Sequence, residues 1–139
     1  MAKRFEFLPH TADIAMRVRG RNPVRLVQNA AAGLASCMAS PRLVRAADEL
    51  ELSLKAATPA EGMIRLLNEM LFLFDTRRFL CRRVRIQCWE GSDLRVRLAG
   101  ETYDPGRHRL KASVKAATYH GLEVRETPDG LEATVVFDV

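Results

Sequence analysis

The sequence lacks any long apolar segment, and this absence argues against a helical membrane protein. Across 139 residues no apolar run approaches the roughly 20 residues that a helix needs to cross a bilayer. Residues 1–7 also lack the apolar core of a secretory signal peptide. With 47% hydrophobic residues, the chain is too apolar to be intrinsically disordered. We therefore expect a soluble cytoplasmic protein with a real core.

Cysteine is scarce, and the few cysteines present are not paired in sequence. Cys37, Cys81 and Cys88 are an odd number and form no CxxC motif. This spacing suggests neither a disulfide framework nor a zinc knuckle. We expect three ordinary buried thiols.

The common catalytic signatures are missing as well. The sequence contains no GxSxG, P-loop, HExxH or GxGxxG motif. Its three histidines, His10, His108 and His120, are not spaced as a zinc set. A self-contained enzyme therefore has little support.

Basic residues exceed acidic ones, with 22 Lys and Arg against 17 Asp and Glu, for a formal net charge of +5. Seven arginines lie within residues 77–97, where only Glu90 and Asp93 oppose them. Such a stretch could attract phosphates or an acidic partner. Because most of these arginines alternate with apolar residues in predicted strands, we favour a solvated face. The seven are Arg77, Arg78, Arg82, Arg83, Arg85, Arg95 and Arg97.

Two helices are predicted from capping signals and apolar periodicity. Asn22 precedes a proline and an apolar pattern with helical spacing, which predicts a helix over about 23–39. Thr58 and Glu61 compose a capping box for a second helix over about 59–76. Apolar residues cover most of the circumference of this second helix, so we expect it to be buried on more than one side.

Strand patterns fill the rest of the chain. Alternation of apolar and polar residues predicts strands at 4–8, 14–19, 50–54, 84–88, 94–98 and 111–119, with two more joined at 127–130. Neither repeats nor composition shifts divide the sequence, so a single domain over residues 1–139 is the simplest organisation. Few helices and frequent hairpins predict an α+β domain with a largely antiparallel β-sheet covered by two main α-helices.

A polar cluster at residues 10–13 stands beside an otherwise apolar strand. In a structural interpretation, Asp13 caps a turn and His10 bonds to the backbone. In a functional interpretation, the cluster supplies a metal ligand or an acid. The residues alone leave both open.

The chain end holds a second candidate. Strand-forming residues at 134–137 lead into Asp138 and Val139. A strand apolar on both faces is usually central and buried, so we expect Asp138 to need a cation, an arginine or several donors to stay charged. If Asp13 lies on a neighbouring strand, the two carboxylates and an oxygen of Val139 would suit Ca²⁺ or Mg²⁺ better than zinc.

Two further segments mix polar and charged residues. The stretch 100–108 combines acids, an arginine and a histidine with glycines, and is either a solvated turn or a functional loop. The stretch 115–120 begins with Lys115 among small residues and ends in tyrosine and histidine. Lys115 either lies close to a carboxylate or discourages aggregation at an edge strand.

Taken in order, these segments resemble the archease family, small proteins that assist the RtcB-type RNA ligase in tRNA splicing and RNA repair. The family pattern has a His-Thr-Ala-Asp start, a helix containing Leu-Asn-Glu, a Gly-Glu loop ending in Arg-His, a Lys-Ala-x-Thr-Tyr-His strand and a penultimate aspartate. Here these are residues 10–13, 67–69, 100–108, 115–120 and Asp138. Five elements in register over essentially the whole chain are a specific match.

The resemblance implies a metal site made by Asp13, Asp138 and the backbone or terminal oxygen of Val139. The expected ion is Ca²⁺, with Mg²⁺ or Mn²⁺ as alternatives. Many family members have isoleucine where this chain has Val139, a difference that should not alter ligation by oxygen.

The resemblance also implies a non-enzymatic role. The protein would promote guanylylation of the ligase histidine and multiple turnover, and would broaden the nucleotides that the ligase accepts. Lys115 would take part in this activation, with His10 and His120 as supporting residues around the metal. The ligase is the implied partner, with RNA as an indirect partner through the ligase.

Two other functions remain open at this point. The first is a metal-dependent hydrolase or nuclease with Asp13 and Asp138 as ligands and His10 or His120 as base. The second is a nucleic-acid-binding or chaperone-like module that relies on the arginine face.

Overall fold

The computed structural model describes residues 3–9 and 13–139. Two α-helices, a short 3-10 helix and eight strands are present in these ranges. In chain order they are β1 (Phe5–Leu8), β2 (Ile14–Gly20), α1 (Pro23–Met38), the 3-10 helix (Pro41–Leu43), β3 (Asp48–Lys55), α2 (Pro59–Arg77), β4 (Phe79–Glu90), β5 (Asp93–Thr102), β6 (Ala116–Thr118), β7 (Arg125–Thr127) and β8 (Gly130–Asp138).

Both helices begin where the capping signals predict. The Asn22 side chain accepts a hydrogen bond from the Arg25 backbone N–H at 2.9 Å. The Thr58 hydroxyl accepts one from the Glu61 N–H at 3.2 Å, which is half of a capping box. The predicted starts of α1 and α2 are therefore confirmed to the residue.

The strands divide into two antiparallel sheets. The five-stranded sheet has the order β1-β2-β8-β6, and β7 pairs with the other end of β8. The three-stranded sheet has the order β3-β5-β4. The α+β class with antiparallel strands and two main helices is confirmed, and each helix contacts both sheets.

The core lies along the helices, between the two sheets. Phe137 of β8, Met16 of β2, Leu34 of α1, Leu67 of α2 and Leu98 of β5 are all fully buried in one hydrophobic cluster. Burial of α2 on more than one side is confirmed, because its buried residues include Met63, Ile64, Leu66, Leu67, Met70, Leu71 and Leu73. In the ranges that the structure describes, no helix is long and apolar enough to cross a membrane.

Two predictions about local structure are wrong. The strand predicted at 111–119 shrinks to β6, because β8 offers pairing partners only to Ala116–Thr118. The three cysteines are not all buried: Cys37 is half-buried and Cys88 is exposed on β4. Of the three, Cys81 alone is buried, and this burial raises the pKa of its thiol to about 12.

Candidate functional site

The strand register brings the predicted carboxylates to one end of the five-stranded sheet. Ile14 of β2 lies opposite Phe137 of β8. Asp13 directly precedes Ile14, and Asp138 directly follows Phe137. The two acids, 125 positions apart in the sequence, therefore lie at the same end of the sheet.

This end of the sheet is open to solvent. Asp138 is exposed, Val139 is 46% exposed and Asp13 is half-buried. The expectation that Asp138 has buried surroundings is wrong, because both faces of β8 are buried only as far as Phe137 and Asp138 is the last residue of the strand. Water can solvate this carboxylate, so its charge does not by itself require a cation.

Lys115 joins the same end through the backbone. Its N–H donates to the Asp138 carbonyl at 2.8 Å, and Ala116 pairs with Asp138 in the ladder between β6 and β8. The Lys115 side chain is exposed and forms no ion pair with a carboxylate of the described residues. The fold therefore groups Asp13, Asp138, Val139 and Lys115, which we call the acidic tip.

A residue without a predicted role holds β6 beside this tip. The Asn68 amide on α2 donates to the Ala117 carbonyl at 3.1 Å, and its oxygen accepts from the Ala117 N–H at 2.8 Å. The Asn68 side chain thus hydrogen-bonds the backbone of β6 on the side away from β8, as a neighbouring strand would. The signal in the sequence was a polar residue within the apolar pattern of α2, between Leu67 and Met70.

The two histidines predicted to support the site differ in what can be said of them. His10 lies outside the described residues. His120 is exposed, and among the described residues its one hydrogen bond runs from its backbone N–H to the Thr118 hydroxyl, at 3.3 Å. Since β6 runs away from the tip between Ala116 and Thr118, the structure does not bring the His120 ring into contact with Asp138.

The donor chemistry of the acidic tip fits a hard cation. Asp13 and Asp138 offer carboxylate oxygens and Val139 offers a main-chain or terminal oxygen, the ligands that Ca²⁺ and Mg²⁺ prefer. Within the described ranges, no group of three or more His, Cys, Asp or Glu side chains could hold a metal. A site with two side-chain carboxylates falls short of the about six to eight oxygens that surround Ca²⁺. Water or a partner would have to complete it.

The segment 100–108 is an ordered network rather than a solvated turn. Glu101 at the end of β5 is 7% exposed, and its carboxylate accepts from the Arg45 N–H and from both terminal nitrogens of Arg107. The same carboxylate lies 2.9 Å from Nε2 of the buried His108. Nδ1 of that ring accepts from the Asp104 N–H, so Nε2 carries the proton toward Glu101.

These contacts favour the ionised form of Glu101. The hydrogen bonds from Arg107, aided by those from Arg45 and His108, outweigh the cost of burial and lower the pKa of Glu101 to about 2. In return the Glu101 carboxylate raises the pKa of Arg107. The network ties Arg45, Arg107 and His108 to one carboxylate, which indicates that it fixes the loop after β5.

Comparison with known proteins adds family membership to this geometry. Residues 5–139 match the model of the Archease protein family (MTH1598/TM1083). The chain belongs to the archease family. Among its relatives, protein archease of Archaeoglobus fulgidus is 30% identical over 138 residues, covering 98% of this chain and 99% of the relative. Protein archease of Methanosarcina mazei is 30% identical over 142 residues, covering 99% and 97%.

Solved structures agree with the archease fold. The solution structure of protein 1598 from Methanobacterium thermoautotrophicum superposes with a TM-score of 0.79 at 26% identity, covering 98% of this chain and 99% of that one. A crystal structure from Thermotoga maritima, described as an archease and possible chaperone, has a TM-score of 0.66 at 23% identity and covers 100% and 98%. The second likeness bears on the fold alone.

Proposed function

We propose that this protein is a non-enzymatic activator of an RtcB-type RNA ligase, and that it promotes guanylylation and multiple turnover of the ligase through the acidic tip. Membership in the archease family supports an accessory role with a partner protein. The observation that carries the proposal is the register of β2, β8 and β6, which brings Asp13, Asp138 and Lys115 together at an exposed end of one sheet.

The acidic tip has a shape that could insert into the active site of the ligase. The strand β8 is buried up to Phe137, so the exposed Asp138 and Val139 stand on a rigid support. Asp13, Asp138 and an oxygen of Val139 would hold the divalent ion, with Ca²⁺ as the expected metal and Mg²⁺ or Mn²⁺ as alternatives. Such an ion would supply positive charge that can bind phosphate oxygens of a nucleotide. The exposed Lys115 ammonium would bind phosphate beside it.

A metal ion at the acidic tip would have an incomplete set of ligands, which explains why this protein and the ligase would act together. Two carboxylates and one main-chain group leave ligand positions to be filled from outside. The ligase and its nucleotide would provide those ligands, and the wider range of nucleotides accepted follows if the tip contacts phosphate rather than base.

A hydrolase acting alone has weaker support. It would need a general base within hydrogen-bond reach of a water at the metal. The structure does not bring His120 to the carboxylates, and the other candidate base, His10, lies outside the described residues. The site as described holds ligands without a described base beside them.

Single-turnover guanylylation of a cognate RtcB-type ligase, with and without this protein, tests the proposal. We expect faster formation of the guanylylated ligase and no cleavage of RNA or phosphoesters by the protein alone. If guanylylation is unchanged and the protein cleaves RNA or phosphoesters without the ligase, the activator proposal is wrong and the hydrolase is favoured.

A further inference from the structure

Arginines from two separate segments converge at one edge of the three-stranded sheet. Arg45, from the segment before β3, and Arg82 and Arg83 of β4 line a hollow of about 450 Å³. Val44 and Ala46 complete the lining, so no acidic residue of the described chain faces this hollow. Arg85 follows two positions beyond Arg83 on the same strand. We call Arg45, Arg82, Arg83 and Arg85 the arginine edge.

The charges of the arginine edge are not neutralised within the described chain. All four side chains are exposed, and none forms an ion pair or hydrogen bond with a described residue. The other sheet differs, because Arg17 and Arg19 there both pair with Glu6, each at 3.1 Å. Exposed arginines without an ion pair also occur singly elsewhere in the described chain, such as Arg21 and Arg65. What distinguishes this edge is that several of them gather around one hollow.

The ladder brings like charges together as well. Arg85 of β4 lies directly opposite Arg97 of β5. Like charges at opposite positions of an antiparallel pair are destabilising. Arg97 turns to Glu49 of β3, at 3.8 Å, and leaves Arg85 without a counter-charge. An anion bound at the edge would offset this repulsion.

Protection of an edge strand from aggregation does not account for the whole cluster. Charged residues on β4 would serve that purpose, and the Gln28 side chain of α1 already accepts from the Ile86 N–H of this strand at 2.8 Å. Arg45, however, lies outside the sheet and still lines the same hollow as Arg82 and Arg83. Convergence on a hollow is typical of a binding surface.

We propose that the arginine edge binds the phosphodiester backbone of RNA. A guanidinium group matches a phosphate with two parallel N–H donors and keeps its charge at every physiological pH. Arg83 and Arg85 are two residues apart on a strand, about 6.8 Å, which lets them contact successive phosphates of an extended strand. Contacts of this kind carry no base preference, so the binding is independent of sequence. This inference goes beyond ligase activation, because it needs neither the metal nor the ligase.

Fluorescence anisotropy with a short labelled single-stranded RNA, in EDTA and without ligase, tests the proposal. The variant with Arg45→Ala, Arg82→Ala and Arg83→Ala should bind about tenfold more weakly than the wild type. The slope of log affinity against log salt should fall by about two, because three phosphate contacts on a single strand are lost.

A matched variant with Arg65→Ala, Arg109→Ala and Arg125→Ala removes the same charge from exposed positions elsewhere. It should retain wild-type affinity within a small factor. An equal loss in both variants, or no RNA binding by the wild type, overturns the proposal. Stronger binding of a polyglutamate peptide than of RNA overturns it in favour of an acidic protein partner. Since the assay contains no ligase and no divalent ion, each of these results leaves ligase activation at the acidic tip untouched.

Discussion

At the residue scale, Glu101 and Gly100 explain in physical terms why a Gly-Glu pair closes β5. A Cβ atom added to Gly100 would lie 1.9 Å from the Leu80 carbonyl oxygen, because β4 approaches closely beside its irregularity between Cys81 and Arg83. Glu101 then turns inward to Arg107 and His108. The glycine admits the neighbouring backbone, and the glutamate anchors the loop that follows.

Gly100→Ala should lower the free energy of unfolding by about 1 to 3 kcal/mol, because backbone atoms must move to relieve the contact. Gly106→Ala is the control, since its added Cβ would meet only the Asp104 carboxylate, at 3.3 Å, in an exposed loop. Urea denaturation of both variants measures the difference. Equal stability of the two would contradict the close approach at Gly100.

Glu101→Gln should lower the free energy of unfolding by about 1.5 to 3 kcal/mol near neutral pH. The amide that replaces one carboxylate oxygen would point N–H donors at other donors and lose the charge that strengthens these bonds. Glu126→Gln, an exposed acid on β7, should change stability by less than about 0.5 kcal/mol. Equal effects of the two substitutions would contradict the account of the network.

The effect of Glu101→Gln should depend on pH in a defined direction. The pKa of Glu101 is lowered from 4.5 to about 2 in the folded protein, so its ionised form stabilises the fold above pH 4.5. That contribution is lost as the pH falls through about 2. The stability difference between wild type and variant, measured by urea denaturation, should therefore be constant above about pH 5 and shrink steadily below pH 4. A difference that grows on acidification would contradict the assignment.

At the scale of elements, capping was predictable and strand length was not. Asn22 and Thr58 bond to residues three positions away, so the starts of α1 and α2 could be predicted from local sequence. Strand pairing depends on distant segments, and the alternation at 111–119 extends well beyond the part that β8 can pair. The hydrogen bonds between Asn68 and Ala117 could not be predicted for the same reason, because the two residues are 49 positions apart.

Asn68→Ala should release β6 from α2 while leaving the core intact. Amide hydrogen exchange at Ala117 should accelerate by about tenfold or more, because its N–H loses its bond to the Asn68 oxygen. Gln28→Ala is a matched control that removes a helix amide from an edge strand of the other sheet and should accelerate exchange at Ile86 instead. Unchanged exchange at Ala117 in the Asn68 variant would show that Asn68 does not hold β6.

At the scale of the whole molecule, two sheets pack against the helices and carry different surfaces. The five-stranded sheet ends in the acidic tip, and the three-stranded sheet carries the arginine edge. The family pattern indicated the tip residues, and only the register of three strands showed that Asp13, Asp138 and Lys115 lie at one end. The arginine edge was only partly visible in the sequence, because Arg45 is 37 positions before Arg82.

Calcium binding tests the metal at the tip separately from the ligase. Isothermal titration should give a single site in the wild type, weakened at least about tenfold by Asp138→Asn, which removes a charged oxygen ligand. Removal of Val139 should also weaken binding, because it takes away a main-chain oxygen. If both variants bind calcium as tightly as the wild type, Asp138 and Val139 are not ligands of the metal.

The most direct test of the central claim is the rate of guanylylation of the cognate ligase in a single turnover, with the wild type, Asp138→Asn and Asp129→Asn. Asp129 is an exposed acid in the turn before β8, at the opposite end of the same strand, so its variant carries the same change in charge. Activation at the acidic tip predicts acceleration by the wild type and by Asp129→Asn, and loss of acceleration with Asp138→Asn although it folds normally. Full acceleration by Asp138→Asn, or none by the wild type, would contradict it.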